Sequence, residues 1–450
     1  MIYLGIYIGI LLVIGVADFF KSRGFRDYAL AGQKQKTPLV VMSLVATILG
    51  ASTTVGLIDK SFDLGFASFW WIGVGVIGLA AQAIFLTKKV RSIDAVTLPD
   101  LAGKTAGGFA KKLTALIIVF SWTGIIAAQF VTAGRIIGIL LGIQDITWVL
   151  LVVAGAMILY SILGGQRSVL KTDFFQGGIM LIALVLAFVF LYFIPGGNPG
   201  AYYDFRLFNE KFGVGDLLTF LLIVGGPYLV GPDMFSRIFT AKDAGTARRS
   251  VWIASGILLL AGVLIAVVGV WGRANINPVP GTDNIGMLLN SLPEWVRILL
   301  LFGFLSAVLS SADTCLLSAG TILERDIIGK ERVGWIRGWI AAIGAAAALI
   351  TLLKKDIIGL LLYSYSIYTP GVVIPLGASI IVYGKRKPDP LWLSLGIGLG
   401  GALGLTSKIM EIATKGKYDW IVFAGIGVSA VFTAISIIKG KKLNPAGDGR

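Results

Sequence analysis

Apolar stretches of about 20 residues recur along the whole length of this 450-residue chain, and a stretch of that length spans the hydrocarbon core of a bilayer. Only 14% of the residues are charged, whereas soluble domains carry about 25%. The chain therefore has too little polar surface to cover a water-facing globule. About thirteen spans can be read, near 2–20, 37–58, 66–87, 113–142, 146–164, 173–195, 215–233, 250–272, 294–322, 334–353, 357–383, 389–407 and 419–438. Backbone groups in lipid must bond internally, so the spans are expected to be helices and the fold class all-α integral membrane. Ile2 to Phe20 has no basic flank before it and no small-residue cleavage site, so it reads as a retained helix.

Lys and Arg total 39 against 24 Asp and Glu, a net charge of +15. The excess sits in alternate connectors, which points to the lipid bilayer as partner and not to nucleic acid. Lys21, Arg23, Arg26, Lys34 and Lys36 follow the first span, and Lys88, Lys89, Arg91, Lys111 and Lys112 the third. Arg167 and Lys171 follow the fifth, Arg237, Lys242, Arg248 and Arg249 the seventh, Arg325, Lys330, Arg332 and Arg337 the ninth, and Lys385 to Lys387 the eleventh. Lys439, Lys441 and Lys442 close the pattern. The positive-inside rule then puts the N-terminus outside and the C-terminus in the cytoplasm of a multi-pass cell-membrane protein.

With one cysteine, Cys315, and no histidine, an internal disulfide, a Cys/His zinc site and histidine acid–base catalysis are excluded. No convergent nucleophile–base set suggests an enzyme. Gly396-x-Gly398-x-x-Gly401 matches a dinucleotide fingerprint but lies in a span with no preceding strand, so close helix packing is the expectation. Gly103-Lys104-Thr105 resembles the end of a phosphate loop, but Leu98 stands where the loop needs glycine. No organic cofactor is expected. Trp70, Trp71, Trp122, Trp148 and Trp271 fit interfacial belts or packing.

Two spans carry residues that fit a continuous helix poorly: Leu49-Gly50-Ala51-Ser52-Thr53-Thr54-Val55-Gly56 in the second, and Gly225-Gly226-Pro227-Tyr228 with Gly231-Pro232-Asp233 in the seventh. Glycine and proline are common in membrane helices. Breaks at matching positions an odd number of spans apart also fit two inverted five-helix repeats, each opening with a discontinuous helix at a binding site.

In the ninth span Ala307, Ser310, Ser311, Thr314 and Ser318 share one helical face. Small residues permit close packing, and hydroxyl oxygens are also hard ligands for alkali cations. Packing does not explain Asp313, because an intramembrane carboxylate costs roughly 2.5–3.5 kcal/mol on insertion scales. Asp173, at the start of the sixth span, complements a helix N-terminus or belongs to an ion path. Asp233 and Arg237 read as an i,i+4 ion pair at the cytoplasmic end of the seventh span.

Tyr160-Ser161-Ile162-Leu163-Gly164-Gly165 with Thr172-Asp173-Phe174-Phe175-Gln176, Pro232-Asp233-Met234-Phe235-Ser236-Arg237, Ala307-Val308-Leu309-Ser310-Ser311-Ala312-Asp313 and Asp27-Tyr28-Ala29-Leu30-Ala31-Gly32 together resemble the sodium:solute symporters, a family that includes bacterial proline, pantothenate, sialic acid and sugar carriers. The resemblance covers nearly the whole chain. It implies a LeuT-type 5+5 inverted repeat: an extra N-terminal helix and loop (1–36), the repeats (37–195 and 196–387), and two trailing helices with a tail (388–450).

The resemblance further implies Na+ as coupling ion, held by Ala46, Leu49, Ala307, Ser310 and Ser311. A possible second cation site maps to Asp173, Asp313 and Thr314, with Asp313 standing where some members carry a hydroxyl. A small-molecule solute, whether amino acid, carboxylate or sugar, is expected between the breaks near Ser52, Thr53, Gln129 and Tyr228. Gln129 contacts solute or satisfies neighbouring backbone. No carboxylate-binding arginine is found deep in the third core helix, since Arg135 lies nearer its outer end. The expected function is sodium-coupled symport with no obligate protein partner; the alternative is proton coupling through Asp313 and Asp173.

Overall fold

The computed structural model describes residues 2–19, 24–143, 145–193, 201–277 and 284–443. Lys21 and Arg23 of the first basic connector, and the expected junction between repeats at 195–196, lie outside them. The described residues are almost entirely helical. α1 is Ile2–Phe19, α2 Phe25–Leu30, α3 Thr37–Ile48, α4 Leu57–Leu64, α5 Trp70–Ala81, α6 Thr87–Ser92 and α7 Leu98–Ala106. The long helices α8 (Gly108–Leu141), α9 (Ile146–Leu163) and α10 (Gln166–Phe193) follow. Then come α11 (Val214–Ile223), α12 (Gly225–Leu229), α13 (Pro232–Thr240), α14 (Ala244–Asn275), α15 (Asn284–Asn290) and α16 (Glu294–Ile322). The last are α17 (Val333–Leu353), α18 (Ile357–Tyr368), α19 (Ile374–Val382), α20 (Pro390–Thr414) and α21 (Asp419–Lys439).

Helix ends follow local chemistry. Asp243 caps α14 through Thr246 N–H at 2.6 Å, and Asp389 caps α20 through Leu391 N–H at 3.0 Å, with Pro390 in the first turn. α8 stops where Gly142 turns left-handed at φ 68°.

Ten helices are long and apolar enough to cross a membrane, or eleven when the bent pair α11 to α13 is one span. The first two expected spans include shorter apolar helices, Gly5–Asp18 and Thr37–Ile48. The second is cut at Leu49–Ala51; its remainder continues through a 3₁₀ stretch, Gly65–Phe69, into the next helix, so that Ser52–Ser92 runs on as 41 residues. The hydropathy reading gave no element at α7. This helix is amphipathic and is held by an ion pair from Arg325 to Asp100 at 3.0 Å and by its N-cap Thr97, whose hydroxyl donates to Asp326 Oδ2 at 2.6 Å.

α16 packs against α10, α8 and α3 at the centre of the molecule, and 1% or less of Ala307, Ser310, Asp313 and Thr314 is exposed. Large apolar side chains face outward on the peripheral helices, for example Trp148, Val152, Leu260 and Leu353. This inversion of the water-soluble pattern fits a lipid-facing belt.

The Gly396–Gly401 motif is a packing device, as expected. α20 lies so close to the α18–α19 junction that a Cβ on Gly371 would fall 3.0 Å from the Gly401 Cα, and a Cβ on Gly400 would run into the Pro370 carbonyl oxygen. Gly398 faces away, with only Leu113 Cδ1 at 3.8 Å. Gly400→Val should therefore destabilise by about 1–3 kcal/mol through overpacking, lowering the thermal midpoint of the detergent-purified protein. Gly398→Val should leave that midpoint within error.

Candidate functional site

Both expected breaks are present, and each exposes backbone that the hydrocarbon interior cannot hydrate. In the first, Leu49 has φ −76° and ψ 43°, and helix resumes as a π turn over Ser52–Gly56. In the second, Val230 and Gly231 are extended, with ψ 89° and 137°, and α11 meets the α12–α13 segment at 42°.

Buried polar side chains satisfy the freed groups. Gln129 Oε1 accepts from Ala51 N–H at 3.0 Å. Thr53 Oγ1 donates to Ile48 O at 2.6 Å, Thr54 Oγ1 to Gly50 O at 2.7 Å, and Ser311 Oγ to Thr47 O at 2.6 Å. Across the second break, Gln82 Nε2 donates to Tyr228 O and Leu229 O at 3.1 and 3.0 Å. Tyr368 OH donates to Val230 O at 2.6 Å. Gln82 and Tyr368 were not singled out from sequence. A lone glutamine within an apolar run was the available signal, but only the fold shows which carbonyl it serves.

Gly50 lies flush against α16, where a Cβ would strike Ser311 Oγ. Ser311 Oγ reaches Ala307 O at 3.0 Å as well as Thr47 O. Ser310 Oγ donates to Asp173 Oδ1 at 2.5 Å. Both hydroxyl protons are thus committed, leaving oxygen lone pairs for a cation. No side chain among the described residues donates to the carbonyls of Ala46 or Leu49, whereas those of Thr47, Ile48 and Gly50 each take a hydroxyl.

Arg237 is not paired with the Asp233 carboxylate, as the i,i+4 spacing had suggested. It is fully buried, and its Nη2 lies 3.0 Å from Asp173 Oδ2. Nε donates to Ser43 Oγ at 2.9 Å and Nη2 to Thr47 Oγ1 at 2.8 Å, and Nη2 also bonds Thr314 Oγ1. Ser43 bonds Asp173 in turn. The guanidinium therefore stands between Asp173 and Thr314, two members of the expected second cation site. Helix geometry explains the difference: α13 begins only at Pro232, so Arg237 projects one turn below the break into the α3–α10–α16 junction. Asp313 makes no ion pair among the described residues. Its Oδ1 accepts a long bond of 3.4 Å from Thr314 Oγ1, and its Oδ2 is buried without a hydrogen-bond partner.

Between the breaks lies a partly open cavity. Ser52, Gln129 and Tyr228, three of the four residues expected near the solute, line it. Thr53 does not; its hydroxyl is turned into the break. Trp122, Asp233, Cys315 and Tyr365 complete the polar and aromatic wall. Trp122 looked like packing in the sequence, and only the approach of α8 to α18 makes it cavity wall.

Arg237→Met should leave Asp173 as an uncompensated buried charge and destabilise by about 3–5 kcal/mol, while Asp173→Asn combined with Arg237→Met should recover most of the loss. Thermal unfolding of the two variants checks this.

The sodium:solute symporter family model matches residues 28–333, a stretch that contains both breaks, the hydroxyl stripe of α16 and the cavity lining other than Leu361 and Tyr365. The osmoregulated proline transporter of Bacillus subtilis is 26% identical to this chain, over 96% of it and 94% of the transporter. The sodium/pantothenate symporter of Haemophilus influenzae is 24% identical, over 98% and 96%. Among solved structures, a substrate-bound outward-open Na+-coupled sialic acid symporter shares the fold with a TM-score of 0.77 at 13% identity, covering 97% of this chain and 98% of that one. The chain belongs to the sodium:solute symporter family and is a multi-pass membrane transporter, not an enzyme.

Proposed function

We propose that this protein imports a small organic solute (amino acid, carboxylate or sugar) together with Na+ by alternating access. The scaffold would be two inverted five-helix repeats, 37–195 and 196–387, with the N-terminus outside and the C-terminus cytoplasmic. The extra helix precedes the repeats and α20 and α21 trail them. The observation that carries this reading is the oxygen set where α3 breaks against α16. The carbonyls of Ala46, Leu49 and Ala307 and the hydroxyls of Ser310 and Ser311 are hard neutral donors of the kind an alkali cation takes, and neighbouring hydroxyls cap the carbonyls between them. The relatives named for proline and pantothenate support a small organic solute in the adjoining cavity.

Na+ at this position would tie the broken segment of α3 to α16. The solute cavity shares Thr47, Gly50 and Ser311 with that junction, so ion and solute would order the same backbone. Each then favours the conformation the other binds, and the coupling is reciprocal. A second cation at Asp173, Asp313 and Thr314 requires a conformation in which Arg237 has withdrawn from Asp173.

Ser310→Ala and Ser311→Ala should each raise the Na+ concentration for half-maximal uptake into proteoliposomes by about tenfold, the loss of one ligand worth roughly 1.4 kcal/mol. Unchanged Na+ dependence in both variants contradicts the ion site. Proton coupling is kept as a second reading on one observation: the buried, unpartnered Oδ2 of Asp313, which needs a proton or a cation to complete it. Uptake driven by a pH gradient without Na+, and lost in Asp313→Asn, would favour it over Na+ coupling.

A further inference from the structure

Among the described residues, Asp233 is the one charged side chain on the wall of the solute cavity. The chain has no histidine, and no lysine or arginine among the described residues lines the space. Arg237, one turn along α13, is spent on Asp173, Ser43, Thr47 and Thr314. Its hydrogen bond to Asp233 goes to the backbone carbonyl at 3.5 Å, so the guanidinium acts on the Asp233 carboxylate only through space. No cation among the described residues comes within ion-pair distance of the Asp233 carboxylate. A carboxylate in the first turn of a helix complements the helix dipole, and the N–H groups of Asp233 and Met234 do lie beside it. That role calls for an acid at the helix start. It does not call for a chamber walled by Trp122, Tyr228 and Tyr365.

Charge and rings together select a ligand class. An anionic carboxylate in a cleft with low-dielectric walls concentrates cations and repels anions. Aromatic faces attract ammonium groups through their quadrupoles, most strongly where water is excluded. Gln129 and Ser52 leave neutral hydrogen-bonding groups for the rest of the solute. A solute whose sole charge is negative would instead bring a second anion into the chamber.

We propose that Asp233 is the specificity-determining residue of the solute cavity and that the solute carries a cationic nitrogen, as an amino acid, an imino acid or a quaternary ammonium compound does. Monoanionic carboxylates and sugars are then poor ligands. This rests on the reading of the cavity as the solute site, and it narrows the solute classes that reading leaves open.

Cys315 lines the same cavity and is the sole cysteine of the chain, so it reports the local charge without a known solute. The purified full-length protein is labelled with trimethylammonium-ethyl and sulfonato-ethyl methanethiosulfonates, with each rate normalised to that for a free small thiol. The cation should be preferred by about tenfold or more, within the range that charged clefts produce. Asp233→Asn should bring the ratio close to one while leaving Na+-dependent thermal stabilisation in place, which shows that the variant is folded. In a Na+-dependent stability screen, the wild type should respond to solutes such as proline or glycine betaine and not to amine-free partners such as tetrahydrofuran-2-carboxylate, lactate or glucose. A wild-type ratio near one, a ratio unchanged in Asp233→Asn, or Na+-dependent stabilisation by an amine-free solute overturns the proposal. The labelling ratio requires neither Na+ nor transport, so it stands or falls separately from the symport reading.

Discussion

A helix interrupted within a membrane must find partners for its freed backbone groups, because no bulk water is there to take them. The rest of this structure is arranged around that constraint. Hydroxyls of Thr53, Thr54 and Ser311 and the amide of Gln129 close the first break. Gln82 and Tyr368 close the second. The side chains come from helices far apart in sequence, so each break is held only when the whole bundle is assembled. The cavity lies where these two repaired breaks face one another.

The Asp173–Arg237 pair is the second organising element. Both groups are fully buried and surrounded by hydroxyls from Ser43, Thr47, Ser310 and Thr314. Such pairs add little net stability over apolar packing, but losing one partner is costly. The pair therefore fixes geometry: it joins α3, α10, α13 and α16 at one point directly beneath the first break. It also leaves the two acidic groups in different surroundings. Asp173 is neutralised inside the protein, while Asp233 is left to face the cavity.

Much of this was legible in the chain. Span positions follow from hydropathy, because a 20-residue apolar run has few alternatives to a helix. The breaks follow from Gly50 and from Pro227 and Pro232. The Ser310–Ser311 stripe follows from helical periodicity. What failed was pairing across the sequence. The i,i+4 spacing of Asp233 and Arg237 is an ordinary surface signal, and nothing local shows that Arg237 reaches an aspartate 64 positions away. Trp122, Gln82 and Tyr368 were hidden for the same reason: their chemistry depends on which helix lies opposite. α7 was missed because an amphipathic helix held by an ion pair leaves no hydropathy peak.

We propose that the oxygen set of Ala46, Leu49, Ala307, Ser310 and Ser311 selects Na+. Thermal unfolding of the purified wild-type protein, titrated with NaCl against KCl and choline chloride at constant ionic strength, tests it most directly. A ligand bound only by the native state raises stability in a saturable way. A saturable rise in the midpoint with Na+ that K+ and choline do not reproduce is the predicted result; equal responses to all three salts would contradict it.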